Sequence, residues 1–229
     1  MKVLHKTLVI VLVTSLLLIG STYLLVENFI IKGFLENELK EAQHKMDMIS
    51  RAIQVKFEGI EKSLEDWSAW DDTYQFIVDQ NEEYVRSNLQ DEALITLDIN
   101  VMLFVNSTND VVFAKALDLY KGEEVNVPKV LWEEVKSGNS PLLLGSGTSG
   151  MILTENGPMM ISSKPILKST KEGPPRGFLI FGRYFDDRVL EWVGFLTGMN
   201  LSANILRESS VPTTNLNIVP VNDSFIVGA

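Results

Sequence analysis

EDWSAWDDTYQF, residues 65–76, stands where a long charged helical pattern gives way to a run of strand patterns. It holds two tryptophans, a tyrosine, a phenylalanine and four acids within twelve positions. Trp67, Trp70 and Tyr74 recur at steps of three and four, the period of a helix, so they are expected on one helical face. Asp72, with Gln75 three residues on, fits a capping box that starts a new turn. The stretch therefore reads as helix, slight break, helix, and NEEYVRSNL (81–89) adds a further helical signal.

Upstream, the apolar positions are Ile31, Leu35, Leu39, Ala42, Met46, Ile49, Ile53, Phe57, Ile60, Leu64 and Trp67. Their alternating fours and threes trace one narrow stripe on a helix about 55 Å long. The opposite face carries charges of both signs, among them Glu36, Lys40, Glu41, Lys45, Arg51 and Lys62, as a solvated face does. A helix that only faces its own core shows a wider apolar face, so the membrane-proximal half of the stripe is expected to be a homodimer seam. Packing on its own domain is the alternative.

Further upstream, residues 7–26 read TLVIVLVTSLLLIGSTYLLV, twenty positions without a charge. At about 1.5 Å per residue they match the hydrocarbon layer of a bilayer. Lys2 and Lys6 precede this run and no acid does, which places residues 1–6 in the cytoplasm and residues 27–229 outside. A cleaved signal peptide is the competing reading, but no A-x-A-like site comes after the run. Residues 27–65 then form the membrane-proximal helix and residues 66–229 the extracytoplasmic domain, with one membrane anchor expected in all.

Bulk composition narrows the chemistry. The 229 residues carry a net charge of −10, which argues against nucleic acid or anionic headgroups as partners of the soluble part. Without cysteine there is no disulfide, thiolate catalysis or cysteine-held zinc or iron–sulfur site. His5 and His44 are the sole histidines, one before the anchor and one on the long helix, so a histidine triad or metal site cannot be assembled. No catalytic residue, metal or cofactor is expected.

Downstream, strands are expected over 99–106, 111–116, 151–154, 158–167, 177–185, 200–206 and 225–227, punctuated by Gly, Asn, Asp and Pro. Helices are expected over 128–137, with proline at its start and Gly138 after it, and over 186–197, with Asp186 as N-cap and Gly198 after it. Helices first and hairpin-linked strands after make the fold class α+β with an antiparallel sheet. Gly145–Gly150 (GSGTSG) matches G-x-G-x-x-G, yet a strand pattern comes after it where a dinucleotide site needs a helix, so it reads as a loop. Asn106, Asn200 and Asn222 head N-x-[ST] triplets, consistent with an exported chain.

Asp71 demands a partner. A carboxylate among indoles costs several kcal/mol if buried and unpaired. Arg183, at the end of the apolar strand GFLIFGRYF, is a candidate, either as an ion pair with Asp71 or as a bidentate grip on an anionic ligand. The expected ligand-binding set is Trp70, Asp71 and Tyr74 from the helix with Ser162 and Arg183 from the strands, aromatics walling a ligand and polar groups orienting it. Core packing of the aromatics is the bland alternative.

DWSAWDDTYQFI (66–77), EYVRSNL (83–89), DINVMLFVNS (98–107) and SSKPILKSTKEGPPRGFLIFGRYFDD (162–187), in that order, resemble the CHASE family, type four. The resemblance runs from about residue 33 to 185 and beyond. It implies an extracytoplasmic sensory domain with a PAS-like or Cache-like sheet behind a long N-terminal helix. It also implies an unknown small-molecule or protein signal passed through the membrane to a histidine kinase or diguanylate cyclase type of output, which this sequence is expected to lack. A membrane-tethered interaction module without a small ligand is the second function class, and an extracytoplasmic hydrolase built on carboxylates alone a distant third.

Overall fold

The computed structural model describes residues 2–26, 32–138, 140–203, 219–220 and 226–227. The chain divides into two compact units, Met1–Met48 and Ile49–Ala229. In the first unit α1 (Lys2–Leu25) carries no charge after Lys6, and Val3–Leu25 is long and apolar enough to cross a membrane. Helix α2 (Lys32–Ser68) begins in this unit, where Glu36 pairs with Lys40 at 2.9 Å and Glu41 with Lys45 at 2.7 Å. Both pairs place Glu four residues before Lys, the arrangement that supports a solvated helix.

The second unit holds the rest of α2, then α3 (Asp71–Asp79), α4 (Glu82–Asn88) and α5 (Asp91–Leu97). Strands β1 (Val101–Asn106), β2 (Val111–Asp118) and the two-residue β3 (Glu123–Glu124) come next. Helix α6 (Lys129–Ser137) and a 3-10 turn (Pro141–Leu143) lead into β4 (Ser149–Thr154), β5 (Gly157–Pro165), β6 (Gly177–Tyr184) and α7 (Asp187–Thr197). The described pieces β7 (Val219–Pro220) and β8 (Ile226–Val227) pair with each other.

The main sheet has the order β3-β2-β1-β6-β5-β4, and every pair is antiparallel. β1 is central, so its run VMLFV is buried on both faces and reads as a continuous apolar string. One face of the sheet packs Val101, Leu103, Val105, Met159, Ile161 and Ile180 against Leu131 and Val135 of α6 and Leu142 and Leu143 of the 3-10 turn. The other meets the helices through rings: Phe104 lies 5.3 Å from Phe76 of α3, and Phe181 lies 6.4 Å from Trp67 of α2. Gly177 opens β6 at φ +149, and a Cβ there would stand 1.9 Å from the Val105 carbonyl oxygen. Only glycine fits that approach.

The architecture is α+β, a long helix followed in the chain by an antiparallel sheet, as the patterns predict. The helices over 129–137 and 187–197 end at Gly138 and Gly198, both in the left-handed conformation that favours glycine at this position. Two expectations need correction or restriction, and one helix had no counterpart among them. The break after the long helix falls at Ala69–Trp70, not at Asp72, because Trp70 adopts extended backbone (φ −120, ψ 133) and is itself the residue before α3. Helix α5 has no strong local signal; it is held by packing of Leu94, which is fully buried. Of the strand expected over 200–206, residues 204–206 lie outside the described residues and 200–203 have no regular structure; Phe225 of the last expected strand also lies outside them.

Candidate functional site

Trp70 turns the chain between α2 and α3, so its ring leaves the stripe that Trp67 continues. It packs 6.3 Å from Trp67, edge on, and 5.8 Å from Tyr84 of α4. Tyr84 stacks on Phe76 at 4.6 Å, and its hydroxyl lies 2.6 Å from that of Thr73. Burial pushes the Tyr84 phenol up to about 12, with the Thr73 hydrogen bond working the other way. The aromatic part of EDWSAWDDTYQF thus fills the space between helices and sheet.

Glu65, Asp71 and Tyr74 meet the β5–β6 hairpin instead. Asp71 is exposed; its Oδ1 accepts from the Ser169 backbone N–H at 3.0 Å, and its own N–H donates to Ser169 Oγ at 3.2 Å. Tyr74 donates its hydroxyl to the Pro174 carbonyl at 3.3 Å. The Arg176 guanidinium lies 4.0 Å from the Tyr74 ring centroid and donates to the Tyr74 carbonyl at 2.9 Å. Lys168 Nζ stands 5.8 Å from the same ring. At the end of α2, Lys171 of the hairpin donates to Glu65, which holds that carboxyl below the usual range. Asp71 and Asp72 sit in the first turn of α3, where the helix dipole favours anions.

Arg183 has other partners, and its expected pairing with Asp71 is not made. The side chain is 1% exposed. Its Nε donates to Asp98 Oδ1 at 3.1 Å, and its two terminal nitrogens donate to Asp186 at 2.7 and 3.2 Å. It also donates to Asn100 Oδ1 at 3.2 Å and to the Tyr184 carbonyl at 2.8 Å. Asp98 further accepts from Lys56 Nζ of α2 at 2.5 Å. The reason is register: β6 lies beside β1, with Asn100 N–H donating to the Gly182 carbonyl at 2.7 Å, so Arg183 arrives at the start of β1 where Asp98 and Asn100 wait. Ser162, fully buried on β5, donates to Ser149 Oγ of β4 at 2.9 Å.

The structure therefore brings Trp70, Asp71 and Tyr74 together at the start of α3 and ties Ser162 and Arg183 into separate hydrogen bonds within the sheet. The sequence patterns gave no sign of Ser169 and Arg176, which answer Asp71 and Tyr74, or of Asp98, Asn100 and Lys56, which answer Arg183. Asp186 was legible only as a cap, and it is one: it also accepts from the Val189 N–H at 3.2 Å. Among the described residues, no buried side-chain nitrogen or oxygen lacks a hydrogen-bond partner, and no three His, Cys, Asp or Glu side chains are placed to share a metal ion.

Comparisons with known proteins identify relatives of this chain. The chain is 30% identical over 171 residues to the methanogenesis regulatory histidine kinase FilI of Methanothrix harundinacea (strain 6Ac). The match takes in 72% of this chain but only 19% of the kinase. Among solved structures, the extracellular domain of vpHK1S-Z8 superposes with a TM-score of 0.50 at 13% identity, over 72% of this chain and 63% of that one, a likeness of fold alone. The periplasmic domain of Vibrio cholerae LuxQ gives 0.44 at 10% identity, over 69% of this chain and 71% of that one. The profile of the CHASE4 domain matches residues 52–204, two thirds of the sequence, and the chain belongs to that family of sensory domains.

Proposed function

We infer that this chain is a membrane-anchored receptor segment: residues 1–6 cytoplasmic, 7–26 in the bilayer, 27–65 a relay helix, and 66–229 an extracytoplasmic sensory domain. The domain binds a signal and passes it along the helix of a homodimer to an output of the histidine kinase or diguanylate cyclase type, on the same or another polypeptide. The observation that carries this reading is the CHASE4 match over residues 52–204. The kinase relative and the apolar helix α1 support it.

Within this reading the signal acts where the β5–β6 hairpin covers the start of α3. Trp70 and Tyr74 supply the wall, Asp71 the exposed anion, and Arg176 and Lys168 cations beside it. Ser162 and Arg183 belong to the same proposal as groups that a ligand entering between sheet and helix would reach by replacing their present bonds. A ligand shifts the receptor only by its difference in affinity between two states, and the hairpin's hydrogen bonds to Asp71 are the contacts such a ligand would exchange.

A second reading draws on the same packing. Rings fill the space between α3, α4 and the sheet at centroid distances of 4.6 to 6.4 Å, which favours a protein partner over an enclosed small molecule. A thermal-shift screen of the full chain in detergent, against organic acids, amines, amino acids and metal ions, separates the two. A rise of several degrees that Asp71→Ala abolishes while that variant still folds supports the small-ligand reading. No shift from any class removes it and leaves the partner-protein reading.

A further inference from the structure

Asp98 occupies an unusual place. It closes α5 in the left-handed conformation (φ 50, ψ 49), one residue before the chain enters the fully buried Ile99. Non-glycine residues visit that region rarely, Asn and Asp most readily. The turn aims one carboxylate at two cations far apart in sequence. Oδ2 accepts from Lys56 on α2 at 2.5 Å, and Oδ1 from Arg183 at the end of β6 at 3.1 Å.

The circuit then closes on itself. Arg183 holds Asp186, the N-cap of α7, through both terminal nitrogens. Five residues into α7, Trp192 presents its ring 5.5 Å from Lys56 Nζ. Helix α2 precedes the main sheet in the chain and α7 comes after it, so the ring of contacts joins a helix before the sheet to a helix after it. Its other members are buried or partly so: Arg183 is 1% exposed and Lys56 and Asp186 are 21% and 19% exposed, whereas Asp98 is 47% exposed. The carboxylate that both cations share is thus the one that water reaches most.

We propose that Asp98 is a latch that fastens α2 to α7 and that its release lets the two helices move independently. The latch is electrostatic and half-solvated, so its strength is modest and its opening is a local event rather than unfolding. It needs no particular signal chemistry and stands whether the receptor reading or the interaction-module reading holds.

Amide hydrogen exchange on the full chain in detergent tests it, with Asp98→Asn as the first variant. Asn keeps the shape and tolerates the left-handed backbone, so the charge alone is removed. Exchange is expected to rise roughly three- to tenfold in residues 52–60 of α2 and in α7 together, with α3, which Asp98 does not touch, unchanged. A rise confined to the α5–β1 junction, or one equal in α3, would overturn the latch. Should Asp98→Asn not fold, Arg183→Lys is read at residues 52–60 of α2, which Arg183 reaches only through Asp98: faster exchange there supports the latch, and unchanged exchange overturns it.

Discussion

Replacing Arg183 by methionine removes a buried cation while keeping an unbranched side chain of similar reach. The guanidinium makes five hydrogen bonds, to Asp98, Asn100, the Tyr184 carbonyl and twice to Asp186. Breaking a buried ion pair by deleting one partner costs about 3–5 kcal/mol, because the remaining charge is left uncompensated. Asp98 is 47% exposed and regains water, and Asp186 is 19% exposed and regains less, which puts the expected loss near the lower end, about 3 kcal/mol. For a domain of this size that corresponds to a fall in Tm of roughly 6–12 °C. Arg183→Lys keeps the charge but not the planar fork, so it falls between the two. The assay is circular dichroism melting of the full chain in detergent. Asp71→Ala is the contrast: it loses one exposed hydrogen bond to the Ser169 N–H, about 1 kcal/mol. Its effect adds to that of Arg183→Met within about 0.5 kcal/mol, since the two residues share no partner. Melting of Arg183→Met within about 2 °C of the parent, or strong coupling to Asp71, would refute the geometry described for the charge network.

The same geometry carries three further expectations. The folded state keeps the Tyr84 phenol protonated up to about 12, above its ordinary value of 10.0, so its contribution to stability is complete below the unfolded pKa and is lost as pH rises through the folded one. Alkaline melting should therefore steepen between those values, by about 2–3 kcal/mol in total, and Tyr84→Phe should flatten that limb. Gly177→Ala is expected to destabilise strongly, by more than about 3 kcal/mol, because the new methyl collides with the Val105 carbonyl at a backbone angle alanine avoids; near-parental melting would contradict the close approach. If the membrane-proximal stripe of α2 is a dimer seam, Leu39→Cys, at an exposed position in a chain without other cysteines, forms a disulfide-linked dimer in membranes, and a cysteine at Lys40 does not. Equal crosslinking at both positions would remove the seam.

Much of the architecture was legible locally. Of the three-and-four spacing from Ile31 to Trp67, the part within Lys32–Ser68 is realised as α2, with Met46, Ile49, Ile53, Ile60 and Leu64 buried; Ile31 lies outside the described residues. The strand runs around 101–106 and 177–184 appear where apolar residues cluster between turn residues. Periods and caps are properties of a few neighbouring residues, so a sequence states them directly. The aromatic cluster was half legible. Its helical spacing placed Trp67 and Tyr74, but Trp70 left the helix because α3 starts at a new angle, held there by rings of α4 and β1.

The partners of the charged groups lay beyond that range. Asp71 and Ser169 are separated by 98 positions, and Arg183 and Asp98 by 85. Which acid meets which cation is decided by sheet order and register: β6 beside β1 carries Arg183 to Asp98, and the β5–β6 hairpin carries Ser169 to Asp71. By itself the sequence determined the apolar N-terminal helix, the long amphipathic helix, the α+β class and the residue types that rule out thiol and histidine chemistry. Only the tertiary structure decided that Asp71 is answered by backbone and Arg183 by two other acids, because each side chain pairs with the nearest group that offsets its loss of water, and nearness across a sheet is set by how the whole chain folds.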